Sequence, residues 1–267
     1  MALLGKGGVG KSVVAGTMAR LLARRGRRVL ALDSDTMPGL AFSLGAEEPA
    51  EPTLGAAVEK DERGRWRLRK GIGPVRAVRR YATPAADGVR LLQCGKLGGS
   101  EAPAMMGAAN GFYRVVERLP EASALAGWDL VGDLPAGPRQ AAFGWARYAD
   151  TFVVLVEPTW QSALTARRSA GIVRAGGATV AMVANKVAGD DGRARIEQIL
   201  GESVIDCIPR DPCVAAAERL GVPLLDHAPA ARTVGVVDEL VERLLSTLRP
   251  PDGDGTLQPM AEKVSPR

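Results

Sequence analysis

The sequence predicts an α/β protein whose doubly wound, mainly parallel sheet carries helices on both faces. Three observations predict it. Short runs of nearly continuous apolar residues alternate with segments of helical period. A glycine-rich octet, Gly-Lys-Gly-Gly-Val-Gly-Lys-Ser at 5–12, stands where the first apolar run gives way to the first helical segment. Aspartates stand at the ends of two further runs, Asp33 with Asp35 and then Asp133. Strands apolar throughout are buried on both faces, as parallel sheets require, and ligands of such sheets bind beyond the carboxyl ends of the strands.

The elements follow in order. Residues 2–4, Ala-Leu-Leu, form the first strand, and 13–25 form a helix with Val14, Met18, Leu21 and Leu22 on one side and Gly26 as its C-cap. Residues 29–32 read as a buried strand and 89–92 as a weaker one. A helix is expected over 112–119 and a strand over 128–131, running into Asp133. Strands follow at 152–156 and 179–183 with a helix at 164–175 between them. A short helix at 196–200, a strand at 203–208 and a terminal helix at 236–248 complete the pattern. One domain is expected over 1–249, and the polar, proline- and glycine-rich stretch 250–267 reads as a disordered tail.

Composition narrows the class. A chain of 267 residues can bury a substantial core, and with 46% hydrophobic but only 4% aromatic residues that core is built from Ala, Val and Leu. No stretch reaches the roughly 18 uninterrupted apolar residues of a membrane span. Three scattered cysteines, Cys94, Cys207 and Cys213, argue against a disulfide framework and for a reducing, cytoplasmic setting. The formal net charge is +5. The arginines at 20, 24, 25, 27 and 28 read as a solvated helix end. Those at 63, 65, 67 and 69 alternate with Trp66 and Leu68, so that period two puts the charges on one face of a strand. With Arg76, Arg79 and Arg80 they make 60–80 a basic insertion, a solvated face first and a surface for an acidic partner or nucleic acid second.

The octet meets the pattern G-x-x-x-x-G-K-[ST] through Gly5, Gly10, Lys11 and Ser12. A strand turning into a helix N-terminus there points unpaired N–H groups and the positive end of the helix dipole at an anion. Gly5, Gly7, Gly8 and Gly10 let the backbone curl around phosphate oxygens, and Val9 and Val13 count with them among the nucleotide-binding positions. Lys11 can reach the β- and γ-phosphates of a nucleotide, and the Ser12 hydroxyl can ligate magnesium.

Lys6 adds a second lysine that phosphate binding does not need. With it the octet resembles the deviant Walker A loop of the MinD/ParA and nitrogenase iron protein superfamily, which implies a P-loop NTPase fold, ATP and Mg2+. In that superfamily two subunits close face to face over ATP, and the resemblance makes Lys6 the residue that reaches the partner's phosphates. Asp33-Ser34-Asp35 resembles its switch I, which implies that Asp35 orients the attacking water or organises the magnesium shell, with Asp33 supporting the loop and the metal site. Thr36-Met37-Pro38 displaces the usual proline. Asp133-Leu134-Pro135-Ala136-Gly137 resembles switch II, which makes Asp133 a water-mediated magnesium residue and aims the Gly137 N–H at the γ-phosphate. Asn185 looks like the adenine-side asparagine, and Ile208-Pro209-Arg210-Asp211-Pro212 resembles the segment that closes around the base through Pro209 and Asp211.

The resemblance implies catalytic roles for Lys6, Lys11, Asp35 and Asp133, and a magnesium site built from Ser12, Asp33, Asp35 and Asp133. The order of motifs is most similar to the nickel-insertion accessory ATPases of carbon monoxide dehydrogenase. Their C-x-C metal motif is missing here: the corresponding place reads Ser100-Glu101-Ala102-Pro103-Ala104-Met105-Met106, and thioethers are far weaker soft-metal ligands than thiolates. Val13 stands where the family usually has a second hydroxyl, a loss on the order of 1 kcal/mol in nucleotide binding. The implied activity is an ATP hydrolase that dimerises around Mg-ATP and acts on a client protein, a metalloenzyme being the first candidate. The alternative is a switch of the Min and Par positioning kind. The helix at 236–248 carries too many acids to lie on an anionic membrane.

Overall fold

In the computed structural model, residues 1–35, 39–46, 54–94, 102–142 and 144–248 are described. Eight strands form one sheet: β1 (Ala2–Gly5), β2 (Arg28–Asp33), β5 (Thr83–Pro84), β6 (Arg90–Gln93), β7 (Trp128–Asp133), β8 (Thr151–Val156), β9 (Thr179–Val187) and β10 (Asp206–Pro209), in the order β10-β9-β8-β1-β7-β2-β6-β5. Every pairing is parallel except β5 with β6. The glycine-rich loop after β1 therefore opens at the centre of the sheet.

Alternate residues of each strand feed two separate cores. Leu3, Val29, Ala31, Val131, Val153 and Leu155 face α1 (Lys11–Arg24) and α10 (Arg232–Leu248). Leu4, Leu30, Leu32, Val154 and Val156 face the side of α4 (Ala102–Val116), α6 (Trp160–Ala175) and α7 (Asp190–Leu200). This is the two-sided burial that continuous apolar strands demand. Helix α1 ends as expected: Gly26 has φ +76°, and the N–H groups of Gly26 and Arg27 close on Ala23 and Leu22.

Five expectations need correction. The helix expected at 112–119 starts ten residues earlier, at Ala102. Its first turns are Ala- and Gly-rich and lack an apolar period because they take a neighbour at close range. A Cβ on Gly107 would lie 3.0 Å from the Trp66 ring, and one on Gly111 2.7 Å from Leu54 O. The expected strand at 179–183 runs on to Val187, and the helix expected at 196–200 begins at Asp190. The strand expected at 203–208 is instead Asp206–Pro209, because the Val204 N–H is taken by Glu197 Oε1. Arg20 does not belong to a solvated helix end. It is 2% exposed, with Nε 2.7 Å from Asp87 Oδ2 and its other nitrogens on both oxygens of Asp226.

The basic insertion forms the hairpin β3 (Val58–Lys60) and β4 (Trp66–Leu68), then α3 (Pro74–Tyr81). Arg65 and Arg67 point outward to Asp61 and Glu59, while Trp66 and Leu68 turn in, as period two predicts. Residues 36–38, 95–101 and 249–267, and the side chains of Met105 and Met106, lie outside the described residues. The readings of the displaced proline, the absent C-x-C motif and the polar tail fall there.

Candidate functional site

The glycine-rich loop owes its shape to two positions that accept no side chain. Gly5 has φ +154°, and a Cβ there would stand 2.7 Å from Leu155 O. Gly10 has φ +95°, and its Cβ would meet Asn185 Nδ2 at 2.7 Å. Directly after Gly10, α1 begins at Lys11 with no acid in its first turn, so its N-terminal N–H groups face the loop without a competing anion.

A cleft of about 410 Å3 opens over the loop, lined among others by Lys11, Ser12, Asp35, Asp133 and Lys186. A second of about 290 Å3 adjoins it, lined by Val13, Asn185, Pro209, Asp211 and Thr233. Together they give room for phosphates at the loop and a base beside Asn185. Larger clefts of about 810 and 860 Å3 exist, the first around Trp128 and Asp129 at the start of β7. That is the end of the sheet away from the loop, and size without convergent chemistry does not make it the site.

Electrostatics distinguishes the small cleft. Asp33 and Asp133 are register partners in adjacent parallel strands, so both carboxyls project toward α1. Asp133 is 2% exposed, and burial pushes its pKa up to about 6; Asp35 adds to the rise, while the Ser12 hydroxyl and Lys11 oppose it. Burial, then the charge of Asp133, pushes Asp33 up to about 8 against hydrogen bonds from two backbone N–H groups. Lys11 is lowered by its own burial, countered by Asp133 and Asp35. Its Nζ donates to Lys6 O at 3.4 Å.

The buried Oδ1 of Asp133 has no hydrogen-bond partner among the described residues. An ionised oxygen in that condition is costly, and a cation beside Ser12 removes the cost. Among the described residues no three His, Cys, Asp or Glu side chains converge as a metal cage. A hydroxyl, one carboxylate and phosphate oxygens suit magnesium, which keeps several waters and is seldom enclosed by protein alone. The residues present therefore fit Mg2+ with a nucleotide.

The structure brings most of the expected residues together and gives several a different job. Asp33 does not line the cleft. Its Oδ1 accepts the Asp35 N–H at 3.1 Å and its Oδ2 the Leu40 N–H at 3.3 Å, so it fixes the segment that carries Asp35 instead of facing a metal. The Gly137 N–H, expected to face the γ-phosphate, donates to Gly5 O at 3.1 Å, and φ +85° is a conformation that favours glycine. Asn185 is tied to the loop, its Nδ2 on Val9 O at 2.6 Å and its Oδ1 on the Lys186 N–H. Asp211 caps α8 (Pro212–Leu220) through the Cys213 N–H and also accepts the Thr233 N–H. Lys6 lies on the outer side of the loop, its Nζ 3.2 Å from Gln161 Oε1.

Two contributors were missed. Lys186, at φ +57°, donates to Gly8 O and pairs with Glu157 at 2.7 Å, locking the loop to the end of β8. Gly39 backs directly onto Ser12, where a Cβ would stand 2.9 Å from Oγ. Neither has a local sequence signal, since both act through partners far along the chain.

Comparison with known proteins decides the family. The CobQ/CobB/MinD/ParA nucleotide binding domain profile matches residues 1–224. The chain belongs to this family. It is a nucleotide-binding P-loop ATPase. It is similar to the carbon monoxide dehydrogenase accessory protein CooC of Rhodospirillum rubrum, with 27% identity over 95% of this chain and 98% of that protein. The cell division ATPase MinD of Pyrococcus furiosus shares the fold at TM-score 0.69 and 20% identity, over 92% of this chain and 98% of the other. A ParA family ATPase of Chlorobium tepidum does so at TM-score 0.68 and 15% identity, over 91% and 98%. No helix among the described residues is long and apolar enough to cross a membrane.

Proposed function

We propose that this ATPase closes as a homodimer over Mg-ATP and acts on a client protein in the cytoplasm, as an accessory factor for a metalloenzyme. The observation that carries the reading is the likeness to CooC along nearly the whole of both chains, combined with a cleft in which loop, lysine and acids converge. Lys11 holds the phosphates, Ser12 and Asp133 hold the cation, Asp35 orients the attacking water, and Lys6 serves the second subunit. Bound magnesium supplies positive charge against the developing negative charge on the phosphates. Asn185, Pro209 and Asp211 frame the base. Support for the second copy comes from the face presenting Lys6. Trp160, 63% exposed, immediately precedes the Gln161 that holds this lysine, so an apolar anchor and the spare cation share one surface.

The test is capture of partners on an Asp35→Ala variant loaded with Mg-ATP, compared with Mg-ADP. An ATP-dependent catch that is a metalloenzyme apoprotein upholds the reading. ATP-dependent retention of a membrane, DNA or scaffold component overturns it in favour of a positioning switch of the Min and Par kind.

A further inference from the structure

Between the two acidic segments lies a buried polar junction with no part in nucleotide contact. Ser34 stands between Asp33 and Asp35, 4% exposed, and its N–H donates to Asp133 O at 3.2 Å. Its hydroxyl is 2.9 Å from both Asp133 O and Gln140 Oε1. Gln140, 5% exposed, lies in α5 (Arg139–Ala142), three residues beyond Gly137. Its Nε2 donates to Ser34 O at 3.5 Å and to Tyr113 Oη at 2.5 Å, and the Tyr113 ring meets Trp145 at a tilt of 37°, ring centroids 4.5 Å apart. One carboxamide thus links Ser34 at the end of β2, α5 and α4, and Ser34 in turn is bonded to the end of β7.

We propose that Gln140 is a positioning residue for ATP hydrolysis. Through Ser34 it holds Asp35 and Asp133 in register, and it carries movement of the Gly137 segment to both. A buried carboxamide is kept only where its hydrogen bonds are met, and here both polar atoms of Gln140 are spent on Ser34 and Tyr113. Any displacement of α5 must stretch the bonds to Ser34, which is covalently joined to both acids of its segment. Reaction geometry is sensitive to shifts of about 1 Å, so loss of the junction lowers turnover without removing a group that touches ATP. The inference rests on the roles proposed above for Asp35 and Asp133.

The experiment measures kcat, KM for Mg-ATP, affinity for a fluorescent ATP analogue and the thermal midpoint on the full chain. The variants are Gln140→Ala, Ser34→Ala, their double, Ser34→Thr, Tyr113→Phe and Asp35→Ala. Gln140→Ala and Ser34→Ala should each lower kcat roughly tenfold or more, with KM and affinity changed by less than about threefold. The double should be no worse than the worse single, since either change breaks the same contact, and Ser34→Thr should recover much of the loss. A kcat within about twofold of wild type in Gln140→Ala, or losses that multiply in the double, would overturn the proposal. Should Gln140→Ala fail to fold, Tyr113→Phe decides: lower kcat at unchanged affinity supports the junction, and unchanged kcat sinks it. Wild-type turnover in Asp35→Ala would instead remove the role given to Asp35, and a loss in Gln140→Ala would then act through Asp133 alone.

Discussion

Replacing Asp133 by asparagine should make the nucleotide-free protein more stable at pH 8 while abolishing its preference for magnesium-bound nucleotide. The magnitude comes from the burial of the carboxyl, whose pKa rises from 3.8 to about 6. Because the folded pKa is the higher one, the native state binds more protons than the unfolded chain between these values. The stability supplied by the neutral acid is therefore complete below pH 3.8 and lost as pH rises through about 6. A shift of about 2 units corresponds to about 3 kcal/mol once the acid is ionised. Asparagine keeps the shape without the charge, but its amide sits where Oδ1 already lacks a partner, which returns about 1 kcal/mol. The net gain of about 2 kcal/mol is a rise of roughly 4–8 °C in midpoint for a chain of this size. Thermal unfolding in a chelator at pH 8 and at pH 4.5 measures it, with almost no gain expected at the lower pH. Titration with a fluorescent ATP analogue, with and without magnesium, measures the other half. An equal or lower midpoint at pH 8, with magnesium dependence intact, would refute the account of Asp133 as a carboxylate held ready for a cation.

Two glycine substitutions test the packing that shapes the site. Gly10→Ala puts a methyl 2.7 Å from Asn185 Nδ2 at φ +95°, a strain of about 1–2 kcal/mol. Nucleotide affinity measured by calorimetry should fall at least tenfold, by about 1.4 kcal/mol or more. Gly132→Ala brings a methyl within 1.7 Å of the Tyr148 hydroxyl and should cost about 3 kcal/mol or more in urea unfolding. Adding Tyr148→Phe removes that nearest atom and should recover part of the loss.

Much of the site was legible because its signals are local. The loop, the strand ends bearing Asp33 and Asp133, and the Asp211-Pro212 step are runs of adjacent residues whose backbone conformation follows from their identity. What sequence could not give was the direction in which each group is spent. Asp33 reads as a metal residue by its place at a strand end. Only the folded chain shows both its oxygens occupied by the Asp35 and Leu40 N–H groups. Arg20 reads as one of a solvated arginine cluster until Asp87 and Asp226, 67 and 206 residues away, close on it. The start of α4 was hidden for a related reason: Gly107 and Gly111 give up helical pattern to let Trp66 and Leu54 approach. Local pattern placed most elements, and long-range contacts set some of their bounds and reassigned the side chains.

The same contacts explain why the acids sit where they do at a cost. Two buried carboxyls in register on adjacent strands, raised to about 8 and about 6, ionise less readily in the nucleotide-free molecule than exposed acids do. A cation held by Ser12 and Asp133 would favour the ionised acids, so cation affinity and pH would be linked. Asp33 gives that equilibrium a mechanical arm. Its charge state sets how strongly it holds the Asp35 and Leu40 N–H groups, because an ionised acceptor makes roughly twice as strong a hydrogen bond as a neutral one. Ionisation of Asp33 therefore strengthens its hold on both N–H groups.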